Sequence, residues 1–263
     1  METQTPEGLE VTLRNGLLII KFNRPSHKNA ITVEMYIGLT RLLKEAAVDD
    51  RVVITALTGA GDFYSSGNDI SKTLETFSKA NITQAIDQSC DRVRDFVSAF
   101  IDFPKILVAV VNGPAFGIAV TILGLCDVVY ASDKAYFCTP FTKLGLVAEG
   151  CSSYTFPRIM GSSKASEMLY FGYKMDAHEA KECGLVSKVF PHATFEQEVW
   201  PKLEQFVKMP KQSMMYSKHL ARALTNEGLH KANEAEITRL KERLQSEESM
   251  TAVLEFFNRK SKM

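Results

Sequence analysis

The chain of 263 residues has no surplus of either charge: Lys plus Arg and Asp plus Glu each number 31, so its formal net charge is zero. Such a chain has no global pull toward nucleic acid or an anionic membrane, and any anionic ligand must be met by a local basic patch. No Cys-x-x-Cys pair occurs among Cys90, Cys126, Cys138, Cys151 and Cys183. Their number is odd and four lie among apolar or small residues, which reads as buried free thiols in a reducing compartment. The five histidines show no metal-ligand spacing such as H-E-x-x-H, which argues against a metal centre. Gly59-Ala60-Gly61 lacks the third glycine of a dinucleotide loop, and Asp62 would repel a pyrophosphate; nucleotide redox chemistry is disfavoured. Met1 to Glu10 has neither a basic apolar signal peptide nor an Arg-rich transit segment. Internal repeats and low-complexity tracts are missing too.

What is there is an ordinary globular composition, 45% hydrophobic and 24% charged, long enough for one substantial core with a small appendage. Ile106 to Cys126 holds about twenty uncharged residues, a length that could suggest a membrane span. Asn112-Gly113-Pro114 divides it, so a buried strand followed by a buried helix is the better reading.

Leu9 to Leu13 and Leu17 to Asn23 are rich in β-formers around Arg14-Asn15-Gly16, a hairpin signal. Apolar spacing at Met35, Leu39, Leu42, Leu43 and Ala46, with Thr32 as N-cap, predicts a helix over 32–48. Strands are predicted over 51–58, 106–111, 126–131 and 134–138, with a polar loop at 71–83, a helix over 84–103 and a buried helix over 117–125. From Ser152 the pattern is helical: 152–160, 163–171, 177–183, 195–207, 211–224, 229–246 and 248–258. Strand-helix-strand crossovers followed by helices argue an α/β core with a helical C-terminal part.

Two glycine-marked turns each follow a buried strand: Ser65-Ser66-Gly67-Asn68-Asp69 and Asn112-Gly113-Pro114-Ala115-Phe116-Gly117-Ile118. Gly67 permits a sharp reversal that exposes the next N–H. Gly117 precedes an apolar helix whose first N–H groups lack internal partners and whose dipole favours negative charge. Each turn could aim a backbone N–H at one carbonyl oxygen. Downstream, Glu149 stands as an acid amid apolar neighbours in Lys143-Leu144-Gly145-Leu146-Val147-Ala148-Glu149-Gly150. Two donors and one carboxylate are the parts needed to take a proton from beside a carbonyl and return it elsewhere, as an isomerase does. The bland alternative for Glu149 is a helix-start carboxylate interacting with the dipole.

Ordered motifs across nearly the whole chain resemble the crotonase, or enoyl-CoA hydratase/isomerase, superfamily. They are Phe22-Asn23-Arg24-Pro25 with Lys28-Asn29-Ala30, Phe63-Tyr64-Ser65-Ser66-Gly67-Asn68-Asp69, and Ala109 to Gly117. Cys126-Asp127-Val128-Val129-Tyr130-Ala131 and Leu144-Gly145-Leu146 continue the match. The resemblance implies a crotonase-like spiral of ββα turns over about 1–200 and a helical trimerisation region over 201–263. It implies an oxyanion hole from the N–H groups of Asn68 and Ile118. Coenzyme A, part of the substrate and no separate cofactor, would have its adenine end near Lys28 to Ala30 and Ser66 to Ile70, so that Lys28, Ala30, Ser66, Gly67, Asp69 and Ile70 are binding candidates. Gly117, Phe141 and Leu144 complete the substrate-binding set.

Hydratases of this superfamily use two glutamates, which would fall at Thr121 and Phe141, neither acidic here. Glu149 falls where the delta-3,delta-2-enoyl-CoA isomerases carry their single glutamate, and Gly150 to Tyr154 with Phe156-Pro157 resembles their peroxisomal-type branch. The implied activity is isomerisation of 3-enoyl-CoA to trans-2-enoyl-CoA in unsaturated fatty acid β-oxidation. An apolar setting from Phe141, Leu144, Leu146 and Val147 would raise the Glu149 pKa, and the 80–103 helix with its preceding loop would wall the acyl tunnel. A hydratase and a non-catalytic acyl-CoA-binding module on the same fold are the alternatives. The final Ser261-Lys262-Met263 is close to the S-K-L address read by the peroxisomal import receptor, although a basic helix tail gives the same residues. The partners implied are an acyl-CoA thioester, copies of the chain itself as a trimer or dimer of trimers, and that receptor.

Overall fold

The computed structural model describes residues 5–69 and 81–260. Nine strands and nine helices are named here among those residues: β1 Leu9–Arg14, β2 Leu17–Phe22, α1 Val33–Val48, β3 Ile54–Gly59 and α2 Ile82–Ile101. They continue with β4 Ile106–Val111, β5 Ala115–Phe116, α3 Ile118–Thr121, β6 Val128–Ser132, β7 Tyr136–Cys138, α4 Ser152–Phe171 and β8 Lys174–Asp176. The remainder are α5 Ala177–Glu182, β9 Lys188–Phe190, α6 Phe195–Phe206, α7 Lys211–Arg222, α8 Asn226–Leu244 and α9 Glu247–Lys260.

Six strands form one sheet in the order β1-β2-β3-β4-β6-β9. The β1–β2 hairpin is antiparallel and every later pair is parallel. Successive side chains of a strand point to opposite faces, and the sequence exploits this. Leu18, Ile20, Leu107, Ala109 and Val111 face the main core under α1, α2, α4 and α8. Leu17, Ile19, Ile54, Ala56, Val108 and Val110 face a second core closed by Phe195, Val199 and Leu203 of α6. Strands buried on both faces explain the near-continuous apolar runs. A smaller sheet, β5-β7-β8, stands apart from the first.

The helix predicted over 32–48 is α1, and Thr32 Oγ1 accepts from Met35 N–H at 3.3 Å as its N-cap. The predicted strand over 51–58 starts late, at Ile54, because Asp49 holds a turn: its side chain takes the Arg51 N–H and its carbonyl the Val52 N–H. The single helix predicted over 117–125 is one turn of α-helix followed by a 3-10 turn over Ile122–Leu125. There the chain must straighten at Cys126 to enter β6, and Gly124 packs against Thr155. The helices predicted over 152–160 and 163–171 are one element with a break at Gly161, where φ is 77° and ψ 158°. Strands β5, β8 and β9, two or three residues each, carry too little periodicity to be legible.

Residue 200, at the expected border of core and helical region, lies within α6. Leu229, Ile237 and Leu240 of α8 join the same core as β2 and β4. Among the described residues no helix is long and apolar enough to cross a membrane; Ile106 to Cys126 divides into β4, β5, α3 and the 3-10 turn. Ile70, most of the predicted 71–83 loop, and Ser261-Lys262-Met263 lie outside the described residues.

Candidate active site

The two glycine turns come together edge to edge. Tyr64 N–H donates to the Pro114 carbonyl and Phe116 N–H to the Ser65 carbonyl, so residues 64–65 and 114–116 form a short parallel bridge. Beyond it, a β-carbon on Gly67 would lie 2.6 Å from the Phe116 carbonyl oxygen and 3.7 Å from Gly117 Cα. With φ at +80°, Gly67 also occupies a conformation that favours glycine.

Asn29 and Asn112 lock the first turn from both sides. Asn29, fully buried, donates its side-chain amide to the carbonyls of Ala60 (2.8 Å) and Phe63 (2.7 Å). Asn112 accepts from Gly59 N–H and donates to the Gly61 carbonyl.

The direction of the Asn68 N–H follows from its neighbours. Ile31 donates to the Gly67 carbonyl at 2.8 Å and accepts from Asp69 N–H at 3.0 Å, a parallel bridge in which Asn68 is the paired residue. The middle residue's own N–H then faces the other side. Among the described residues, the backbone N–H of Asn68 has no partner, and neither has that of Ile118, first residue of α3. Gly117 at φ 54°, ψ −126° makes the turn that leaves Ile118 N–H open, while its own N–H goes to Cys138. A residue with a β-carbon would be strained there.

Both amides border one cavity, with about 150 Å³ of free volume. Ser66, Gly67, Asn68, Asp69, Gly117 and Ile118 form one wall, and Phe141, Leu144, Leu146 and Glu149 another. Ile86, Cys90 and Val93 of α2, Leu240 and Leu244 of α8 and Val253 of α9 add apolar lining. The helix predicted over 84–103, expected to wall an acyl tunnel, is α2 and contributes to this cavity lining; most of its preceding loop lies outside the described residues. Val147 packs against the core and does not line the cavity.

Lys28 and Ala30 also lie off the cavity lining, on the strip hydrogen-bonded behind Ser66 and Gly67. Lys28 Nζ stands 5.2 Å from the Phe63 ring, and the Ala30 carbonyl accepts from Arg24. Arg24 also pairs with Asp69 at 3.0 Å.

Glu149 sits between the 3-10 turn Thr142–Leu144 and the start of α4. Its carbonyl accepts from Ser152 N–H (3.3 Å) and Ser152 Oγ (2.7 Å), while no described residue donates to its carboxyl. Burial, and secondly the negative Glu236, push the carboxyl from the ordinary 4.5 up to about 8. A carboxyl at that value is poised to give and take a proton near neutral pH. Gly150, next in the chain, packs against α3: a β-carbon there would lie 2.3 Å from Thr121 Oγ1. Thr121 is fully buried and donates to the Ile118 carbonyl. The positions where hydratases would place acids thus hold a buried hydroxyl and an aromatic ring.

Sequence reasoning missed the contribution of the last helices. Ser249 Oγ donates to the Leu144 carbonyl at 3.3 Å and Arg243 Nε to the Gly145 carbonyl at 2.9 Å, fastening the loop before Glu149. Glu236 of α8 is buried and accepts from Cys151 N–H, Ser153 N–H and Ser153 Oγ at 2.7, 2.9 and 2.5 Å. The signal was present: Leu229, Asn233, Glu236, Ile237 and Leu240 recur at helical spacing, so an acid stands on the buried face. Among the described residues no group of acids, cysteines and histidines could hold a metal ion.

Residues 12–262 match the enoyl-CoA hydratase/isomerase family. The chain is 53% identical over 262 residues to Enoyl-CoA delta isomerase 2 of Rattus norvegicus, covering 100% of itself and 66% of that protein. It is 48% identical over 252 residues to Enoyl-CoA delta isomerase 3, peroxisomal, of Mus musculus, covering 96% of itself and 78% of that protein. The chain thus spans just under two thirds of the isomerase 2 relative's length. Among solved structures, an enoyl-CoA hydratase/isomerase from Pseudoalteromonas atlantica T6c superposes with a TM-score of 0.86 at 32% identity, over 96% of this chain and 98% of that one. Paired glycine turns, a buried acid across one cavity, and a match over nearly every residue agree: this chain is a member of the enoyl-CoA hydratase/isomerase family, with the crotonase fold.

Proposed function

We propose that the chain moves the double bond of a 3-enoyl-CoA, cis or trans, to give the trans-2-enoyl-CoA. The observation that carries this reading is the single uncommitted acid of the cavity. Of its two acidic side chains, Asp69 is paired with Arg24, whereas Glu149 shares the cavity lining with Asn68 and Ile118, whose amides are open, and has its pKa raised to about 8.

In the proposed reaction the thioester oxygen lies between those two N–H groups. As Glu149 withdraws a proton from carbon 2, the electrons move onto that oxygen as an enolate, which the amides stabilise; one such donor is worth about 3 kcal/mol. Glu149 then returns the proton to carbon 4 and the double bond shifts into conjugation. Atoms balance within the substrate, so the chemistry asks for no cofactor beyond the coenzyme A it carries. The pantetheine and adenine parts would run past Ser66 to Ile70 toward Lys28 and Ala30, and the acyl chain between α2 and α8.

Relatives named as isomerases at 48–53% identity support this over hydration. So do Thr121 and Phe141, which offer no second acid to activate water. The relative named as peroxisomal supports a place in peroxisomal β-oxidation of unsaturated acyl chains. We further infer a homo-oligomer, trimeric or a dimer of trimers, through the helical region at 201–263.

The test is to incubate the protein with 3-enoyl-CoA and, separately, with trans-2-enoyl-CoA, and to separate the products. The reading requires conjugated 2-enoyl-CoA from the first and no 3-hydroxyacyl-CoA from the second. Rapid hydration of the second substrate would contradict it.

A further inference from the structure

We propose that Glu236 is a positioning residue for the Glu149 base: from α8 its carboxylate fixes the Gly150–Ser153 turn that presents Glu149 to the cavity, and sets a negative charge behind it. This rests on the reading of Glu149 as the base.

Geometry carries the inference. The turn after Glu149 is unusual backbone, with Gly150 and Cys151 both in the left-handed region at φ 66° and 61°. Cys151 carries a β-carbon and pays for that conformation unless its surroundings impose it. Glu236 supplies the restraint. One carboxylate oxygen takes the Cys151 N–H, and the other takes both the N–H and the hydroxyl of Ser153. These are N–H groups at the start of α4, which has no side-chain cap of its own and whose dipole favours an anion. A carboxylate 85 residues away in sequence does the work of the missing cap. Burial raises the Glu236 carboxyl above its ordinary value, and the three donors converging on its two oxygens act against that, favouring the ionised form.

The groups around Glu149 make Glu236 the charge that matters. Tyr36 on α1 and Cys90 on α2 both feel Glu149, but burial pushes the tyrosine well above its usual value and the thiol up to about 12. Both are neutral in the working range. Lys241, Asp87 and Asp91, near Cys90, are paired with one another. Arg92 and Asp69 border the cavity, the latter paired with Arg24. Behind the turn, Cys151 is also held neutral by burial and by Glu236. A negative neighbour keeps the proton on Glu149 to higher pH, which strengthens it as a base once ionised.

The experiment is the pH profile of kcat/KM with 3-enoyl-CoA for the wild type and for Glu236→Gln, Glu236→Asp, Ser153→Ala and Glu149→Gln. In Glu236→Gln the midpoint of the acid limb moves down by about 1 pH unit, and kcat above the midpoint falls about 10- to 100-fold. Glu236→Asp keeps the charge, so its midpoint stays at the wild-type value while kcat drops. Ser153→Ala removes one donor to the carboxylate from an exposed residue, and its midpoint moves down by less; it serves if Glu236→Gln does not fold. A merely structural cap would lower thermal stability and leave the midpoint alone. A midpoint unmoved in every folded Gln or Ala variant at these two positions overturns the proposal. If instead Glu149→Gln keeps its turnover, the base assignment itself has failed.

Discussion

A β-carbon on Gly67 would lie 2.6 Å from the carbonyl oxygen of Phe116, so the two turns carrying the open amides touch backbone to backbone. Residue 67 cannot gain a side chain without moving one turn from the other. Gly67→Ala is therefore expected to cost stability by ~2 kcal/mol, from strain at positive φ and the forced separation. It should also lower kcat more than it raises KM, because in the proposed reaction the amides serve the transition state more than the bound substrate. Steady-state kinetics beside a denaturant melt would check both.

The proposed role of Glu149 as base runs against its contribution to stability. Its folded value is about 8 against an ordinary 4.5. Below pH 4.5 folded and unfolded chains both hold the proton. Between 4.5 and 8 the unfolded chain releases it while the folded chain retains it, so stability falls across that window and levels off above 8. Glu149→Gln removes this penalty and should be more stable than wild type at pH 8.5 by roughly 2–4 kcal/mol, with little difference at pH 4. Urea melts at the two pH values measure this.

Leu244 is half-buried and lines the cavity together with Ile86 and Cys90. Leu244→Trp should shorten the space for the acyl chain. KM for long-chain 3-enoyl-CoA should rise about tenfold or more, while a short-chain substrate changes little, since a few displaced methylenes at ~0.8 kcal/mol each suffice. A chain-length series would read this directly.

All five cysteines are free, and Cys90, Cys126, Cys138 and Cys151 are buried with their thiols pushed up by burial. Only Cys183 is partly exposed. Alkylation of the folded protein at pH 8 should label Cys183 first and leave the other four until unfolding. Mass spectrometry of peptides from a time course would show the order.

The fold and the cavity wall were legible where the pattern is local. Thr32 as N-cap, the Arg14-Asn15-Gly16 hairpin, both glycine turns and the isolated acid at 149 are all short-range signals, and each stands where it was anticipated. What escaped is long-range. Nothing near Cys151 in the sequence says that its N–H meets Glu236, and nothing near Leu144 points to Ser249. Lys28 and Ala30 are not among the residues lining the cavity; their strip is hydrogen-bonded to Ser66 and Gly67, a pairing their local sequence does not announce. The short strands β5 and β8 depend on their partner β7 rather than on their own few residues.

The central claim is that one carboxylate does the proton transfer, and the most direct measurement is turnover of 3-enoyl-CoA by wild type and Glu149→Gln. Formation of conjugated thioester would be followed spectrophotometrically, and binding of a saturated acyl-CoA measured alongside by calorimetry. The account predicts rapid turnover by the wild type, loss of at least 10²- to 10⁴-fold in the variant, and unchanged acyl-CoA affinity. Retained turnover in Glu149→Gln, or a wild type that binds acyl-CoA tightly and converts nothing, would contradict it.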